Sequence, residues 1–205
     1  MGKVWFTADL HFTHTRIIEL SNRPFRDAQD MDETLIRNWN ETVAPDDVVW
    51  VLGDFAIEGG WEKALTYVPR LNGHKRLISG NHDRCWAGKS DAARFQRFYF
   101  EAGFEVVDSA GRTKLPSVRQ DERGRKVVLS HFPYREDHTD DARHTQFRLP
   151  DTGGWLVHGH VHEAFTVAER GVNVGVDRWD FRPVSALKIA QIIDEHERTA
   201  PVKER

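Results

Sequence analysis

The sequence predicts an α/β fold built on two β-sheets, and three observations carry that prediction. In the first half, short apolar runs rich in β-formers alternate with helix-like segments, the pattern of parallel strands joined by crossovers. In the second half, short strand candidates follow one another with only turns between them, which points to a second, more antiparallel sheet. The chain also has enough length and apolar content to fill a core between such layers. Of its 205 residues 39% are hydrophobic, with seven Trp and twelve Phe, a composition that a disordered chain does not carry.

Each element follows from local pattern. Val4–Ala8 is a strand, with Asp9 and His11 at its carboxyl end. Asp30 and Glu33 form an Asp-x-x-Glu helix start, with Leu35, Trp39 and Thr42/Val43 on one face. Pro45-Asp46-Asp47 is a turn, and the wholly apolar Val48–Leu52 is a strand that ends in Gly53-Asp54. Trp61–Val68 is expected to be a helix closed by Pro69. Lys75–Ser79 is the next strand, ending in Gly80-Asn81-His82-Asp83, and Asp91–Phe100 reads as helical. Phe104–Val107, Arg112–Val118, Lys126–Ser130, Trp155–Val157, Ala164–Ala168 and Val172–Val174 are the strand candidates assigned to the second sheet. Ser185–Glu197 closes the chain as a helix, and Thr199–Arg205 is expected to fray. The polar stretch Tyr134–Gly154, which carries His138 and His144, is long for a loop in a compact domain; it is either functional, with the two histidines capping the site, or a disordered surface segment. No repeat or composition break marks a boundary, so residues 1–205 are expected to form one domain.

Charge and cysteine content narrow the function classes. A formal charge of −3 gives no global basic field for tight nonspecific nucleic-acid binding, so nucleic acid is not the favoured partner. The single cysteine, Cys85, allows no internal disulfide, fits a reducing cytosol, and reads as packing. No apolar run approaches the ~18 residues of a membrane span. The strand-like Lys3–Ala8 leaves no room for a signal peptide, and Phe6 breaks the myristoylation pattern after Gly2. The expectation is a soluble, cytoplasmic protein without membrane partners; the oligomeric state has no clear signal.

Five short segments carry the chemistry: Asp9-Leu10-His11, Gly53-Asp54, Gly80-Asn81-His82-Asp83, His131 and Gly159-His160-Val161-His162. Most follow an apolar run, so each is expected at a strand end. Carboxylates, an amide oxygen and imidazoles suit borderline divalent metals such as Mn, Fe, Zn, Co or Ni rather than Ca or Mg. The absence of cysteine ligands argues against a structural zinc site. In an extended segment Asp9 and His11 point the same way, as do His160 and His162, so the two pairs can converge. Taken singly these motifs are weak; the five in order form a strong signal.

That order resembles the calcineurin-like metallophosphoesterases, whose pattern is Asp-x-His, Gly-Asp, Gly-Asn-His-Asp/Glu, a lone His and Gly-His-x-His. The resemblance runs from residue 4 to about 180 with every motif met, the lone His by Ser130-His131. It implies a four-layer αββα sandwich and two divalent metals, with manganese the first expectation. It also implies ligand roles: Asp9, His11 and His162 on the first metal, Asp54 bridging, and Asn81, His131 and His160 on the second. By the same resemblance His82 is no ligand but faces the phosphate and either stabilises its charge or protonates the leaving oxygen. Two metals about 3.5–4 Å apart would acidify a bridging water, whose hydroxide attacks phosphorus in line.

The segments Gly53-Asp54-Phe55-Ala56 and Gly80-Asn81-His82-Asp83 depart from the protein Ser/Thr phosphatase pattern. With Asn22-Arg23-Pro24-Phe25 and Asn173-Val174-Gly175-Val176-Asp177 they look more like the small bacterial and phage phosphodiesterases of the superfamily. The expected activity is hydrolysis of small nucleotide-type phosphodiesters, 2′,3′-cyclic nucleotides among them. The rival readings are a phosphomonoesterase of the same fold, a nuclease on RNA or DNA using an Arg143–Arg148 patch, and a binding module without turnover. Around the core set, His14, Arg16 and Arg23 are candidate phosphate contacts, against a plain surface role. His158 is expected to support the site or pack in the core, and Asp83 to orient His82 or His160 or to shape a turn.

Overall fold

The computed structural model describes residues 2–119, 123–135, 137 and 143–199. The first sheet has the order β10-β1-β2-β3-β4. It comprises β1 (Val4–Thr7), β2 (Val48–Val51), β3 (His74–Ile78), β4 (Phe104–Asp108) and β10 (Val184–Ser185). β1 to β4 run parallel, and β10 is antiparallel to β1. The second sheet has the order β5-β6-β7-β9-β8. It comprises β5 (Ala110–Lys114), β6 (Lys126–Ser130), β7 (Trp155–His158), β8 (Val167–Ala168) and β9 (Gly171–Asn173). The β6–β7 and β7–β9 pairs are parallel, and the β5–β6 and β8–β9 pairs are antiparallel.

The helices are α1 (Thr15–Leu20), α2 (Ala28–Thr42), α3 (Trp61–Leu65), α4 (Ala92–Ala102) and α5 (Ala186–Thr199). Met31, Leu35, Ile36 and Trp39 of α2 and Tyr99 of α4 pack with Val49, Val51 and Leu77 of the first sheet in one core. A second core joins the two sheets. Phe6, Trp50, Leu52 and Ile78 meet Val127, Leu129, Trp155, Val157 and Val172 there, with Ile189 and Ile193 of α5 in the same cluster. Two mixed sheets with flanking helices are the arrangement that the αββα resemblance implies.

Several expectations need correction. Phe104–Asp108 does not belong to the second sheet: it pairs parallel with β3 and extends the first. The run buries Phe104 and Val107 and exposes Glu105 and Asp108, a pattern that does not distinguish the sheets, and the crossover through α4 determines which one it joins. The second sheet is mixed, as the resemblance implies, with as many parallel as antiparallel pairs; the long Tyr134–Gly154 connection lets β7 run parallel to β6. The α2 helix starts earlier than Asp30: Asp27 is the N-cap, its side chain accepting from the Asp30 N–H at 2.8 Å. α3 stops at Leu65, and Pro69 sits inside a one-turn 3₁₀ segment, Val68–Arg70, where its missing N–H is tolerated. Cys85 is buried in the first core, as expected. Among the described residues no helix is long and apolar enough to cross a membrane. His138 and residues 200–205 of the tail lie outside the described residues.

Candidate metal centre

β1, β2, β3, β6 and β7 end on one rim, and the segments that follow them meet there. The chain gets its ligand groups to converge by left-handed backbone turns, not by extended alternation. Asp9 (φ 56°), His11 (φ 52°), Asp54 (φ 51°), His160 (φ 74°) and His162 (φ 46°) all have positive φ. Non-glycine residues rarely adopt that conformation, and its concentration at one place marks a constrained functional site. Backbone bonds fix the turns: the N–H of Asp9 donates to Gly53 O at 3.0 Å and that of His11 to Asp54 O at 2.9 Å. Gly53 has φ 91°, and a side chain at Gly53 or Gly80 would run into the His131 ring; at Gly80 it would also strike Asp54. Glycine at both positions is what lets these loops close on each other.

The predicted ligands fall into two groups. Ligand atoms of Asp9, His11 and His162 all lie within 4.8 Å of one another, and so do those of Asp9, Asp54 and His131. Asp54 Oδ2 is 3.6 Å from His11 Nε2 and 3.4 Å from His131 Nε2, between the two groups. Asn81 Oδ1 adjoins the second group at 3.1 Å from His131 Nε2. The His160 ring is 5.2 Å from that of His131, and the His160 N–H donates to both Asp9 oxygens at 3.1 and 3.0 Å. The His162 ring stacks on His11 at 5.1 Å.

The residues fit divalent cations. His11 Nε2 is buried without a hydrogen-bond partner and faces the Asp54 carboxylate, the state expected of a ligand atom. Partners outside the ligand set fix the ring orientation. His131 Nδ1 is 2.9 Å from Leu52 O, so its proton sits there and Nε2 is left for a cation. His162 Nδ1 faces Asp177 Oδ2 at 3.5 Å and Ser21 Oγ at 3.4 Å.

Burial and mutual charge set the protonation of the metal-free centre. Burial pushes the Asp9 carboxyl up to about 6. Burial also acts to raise Asp54, but the His131 and His11 imidazoles outweigh it and hold that carboxyl well below the usual range. Burial acts to lower His131, but Asp54 outweighs it and lifts the imidazole to about 9. Burial pushes His11 well down, favouring the neutral form that binds metal.

The structure also places the remaining candidates. His82 is partly exposed on the rim, its ring 5.2 Å from His11, and its N–H donates to Asp54 Oδ1 at 2.9 Å. His14 is beside it, 6.2 Å ring to ring, with Nδ1 3.4 Å from His11 Nδ1. Burial depresses His14 to about 4. Arg16 is exposed on α1.

Arg23 is a correction. It is no phosphate contact, because its side chain is buried and its donors are in use. Nε and Nη2 form a bidentate pair with Asp177, each at 2.8 Å; Nη2 also donates to Asp9 O at 2.7 Å and Nη1 to Leu10 O at 3.1 Å. Asp83 orients neither His82 nor His160. It is fully buried and accepts the N–H groups of Asp54 (3.0 Å), Gly80 (2.8 Å) and Ala56 (3.3 Å), tying two ligand loops together. His158 is buried, with Nδ1 2.8 Å from Gly159 O.

Sequence reasoning missed three further groups. Asp177 faces His162 directly and is itself held by Arg23. Asn173 donates to the carbonyls of His162 and Phe165, each at 2.8 Å, shaping the last ligand loop. Asp137 brings Oδ1 to 3.4 Å from His160 Nε2 and forms a buried pair with Arg148. An Asn-x-x-x-Asp spacing directly after a strand was the available signal for Asn173 and Asp177; Asp137 had none.

A family model described as calcineurin-like phosphoesterase matches residues 2–164. The gene 66 protein of Mycobacterium phage L5 is 39% identical over 200 residues, 95% of each chain. An uncharacterized protein of Methanocaldococcus jannaschii is 29% identical over 95% of this chain and 93% of its own. Among solved structures, a protein of unknown function from Aquifex aeolicus covers 94% of this chain with its whole length, at a TM-score of 0.66 and 23% identity. That likeness speaks for the fold alone.

Proposed function

The chain belongs to the calcineurin-like phosphoesterase family, and on that premise we propose that it hydrolyses small nucleotide-type phosphodiesters at a binuclear metal centre. The observation that carries this reading is the position of Asp54 Oδ2, 3.6 Å from His11 Nε2 on one side and 3.4 Å from His131 Nε2 on the other. A carboxylate oxygen between two buried imidazole nitrogens suits a shared ligand. Asp9, His11 and His162 would hold one cation, and Asn81, His131 and His160 the other, with Asp54 between. Manganese is the cation we would supply first. Two bound divalent ions supply positive charge to phosphate oxygens and lower the pKa of water held between them.

The protein's own groups do the rest. His82 sits at the open rim, fixed by its backbone bond to Asp54, and its imidazole can pass a proton to the departing ester oxygen. Burial lowers its pKa, which makes the conjugate acid a stronger donor and a smaller population near neutral pH. His14 borders the same opening, and Arg16, exposed on α1 and near enough to act on the charge of His14, is with it a candidate for contact with the phosphate or its substituent.

The test is hydrolysis of bis(p-nitrophenyl) phosphate by chelated protein reloaded with Mn, set against p-nitrophenyl phosphate. We expect Mn-dependent turnover with a higher kcat/KM for the diester. A protein shown to hold two metal ions per chain yet inert on both esters would sink the proposal. A strong monoester preference would replace the diesterase reading with a phosphatase one.

A further inference from the structure

Trp86 and Phe132 are almost fully buried, at 7% and 3% exposure, yet neither belongs to either hydrophobic core. They form a separate aromatic island on the rim of the metal centre. Trp86 comes from the loop after β3, Phe132 from the loop after β6, and His144 and Phe147 from the connection into β7. Trp86 lies 4.7 Å from Phe147, 5.8 Å from Phe132 and 5.2 Å from His144, ring to ring. Phe132 in turn lies 4.9 Å from both His131 and His160. The island therefore begins where the second ligand group ends.

Two details argue that this cluster presents a surface as well as filling space. Its outer member, Phe147, is 37% exposed, and Phe147 packs in neither core. His144 lies 5.4 Å from Phe132 and 6.2 Å from His160, ring to ring, and so links the cluster's outer face to the second ligand group. The Trp86 ring also lies over Gly88, where an alanine methyl would collide with it. A rigid aromatic wall directly beside a phosphate-binding centre suits a planar ring joined to that phosphate through a short spacer.

We propose that Trp86, His144 and Phe147 form a nucleobase subsite, in which the base of the substrate stacks on the Phe147–His144 surface while its phosphate lies at the metal centre. Stacking is tolerant of base identity because every base has a π-face, so the subsite selects nucleotides over simple esters without choosing among bases. This assignment rests on the phosphodiesterase reading for the location of the phosphate.

The test compares thymidine 5′-p-nitrophenyl phosphate with methyl p-nitrophenyl phosphate, which release the same phenolate and differ only in the nucleoside. Wild-type protein should prefer the thymidine ester, and Phe147→Ala should cut the ratio of the two kcat/KM values roughly tenfold, within the range for one stacked base. Phe147→Trp should retain the preference. A wild type with no preference, or a Phe147→Ala variant whose ratio is unchanged, overturns the subsite. Adenosine, which carries no phosphate, gives a readout independent of turnover. It should perturb the Trp86 indole and Phe147 ring resonances in wild-type protein and bind more weakly to Phe147→Ala. If neither ester is hydrolysed but adenosine still binds at Phe147, the reaction has been misread and the subsite stands; if neither occurs, both fall.

Discussion

Replacing Arg23 by Met removes a buried guanidinium that serves four acceptors at once. Its side chain is wholly buried, and Asp177, its partner, is 4% exposed, so solvent screening does not dilute the pair. Breaking such a pair from one side leaves an uncompensated carboxylate and costs about 3–5 kcal/mol. The carbonyls of Asp9 and Leu10 also lose their donors, at about 1–3 kcal/mol each if no water replaces them. These terms overlap, so a loss of about 5 kcal/mol is the reasonable expectation, against a total of about 5–15 kcal/mol for a typical domain. Urea unfolding of the metal-free protein, followed by circular dichroism, reads this directly.

Two companion variants separate charge from geometry. Arg23→Lys keeps the charge but cannot span the fork and both carbonyls, and should lose about half as much. Arg23→Met combined with Asp177→Asn removes the stranded carboxylate and should recover the electrostatic part. It should still bind the first metal more weakly, because His162 Nδ1 loses its carboxylate partner, a change typically worth about 10–100-fold in affinity. The reasoning is refuted if Arg23→Met loses less than about 1 kcal/mol while the KM for a phosphodiester rises. That result would return Arg23 to the substrate face.

Metal removal should lower the melting temperature. Each site held at 100-fold over its Kd contributes about 2.7 kcal/mol, or roughly 5–10 °C for a chain this size, and a scan with and without chelator that shows no shift would count against a bound metal. His82→Ala should cut kcat by about 10²–10⁴ on esters with poor leaving groups and by less on p-nitrophenyl esters, with metal content unchanged by elemental analysis. Asp83 is lifted to about 7 by burial and then by Asp54. The folded metal-free protein therefore holds a proton there that the unfolded chain releases near 3.8, and this group's contribution to stability is lost as pH rises from about 4 to about 7. Asp83→Asn should thus gain stability relative to wild type across that window in parallel urea titrations; a difference that is flat with pH would refute the assignment.

What was legible in the sequence was the chemistry of the ligand segments, because metal ligands are few in type and their spacing is local. The strands that present them were legible too: Lys126–Ser130 is bounded just where β6 runs, and Val48–Leu52 differs from β2 by one residue. What stayed hidden depends on tertiary contact. Phe104–Asp108 reads as a strand from composition, but its sheet is decided by the β3–β4 pairing that only the folded crossover creates. Arg23 looked like an exposed cation in a polar loop, and only Asp177, 154 residues away, turns it into a buried brace. The aromatic island around Trp86 was invisible for the same reason, since its rings come from three separated loops.

The ligand pairs themselves show how a correct reading can rest on the wrong geometry. Extended alternation predicts that Asp9 and His11 share a direction, as do His160 and His162. The four residues do converge, yet each has a positive φ, so the chain leaves its strand and coils back toward the metal centre at these points. Each left-handed non-glycine residue costs on the order of 1 kcal/mol or more, and although Asp and His tolerate the conformation better than most residues, residue type alone does not impose it. What holds the turns are the bonds between loops: Asp83 to three N–H groups, Asp9 to the His160 N–H, and Arg23 to the carbonyls of Asp9 and Leu10. The bonds of Asp83 and Arg23 involve no ligand atom, so they persist when the cations are removed. The centre is therefore expected to stay largely preformed in the metal-free protein, and bound metal has mainly charge repulsion and desolvation to relieve rather than a loop to fold.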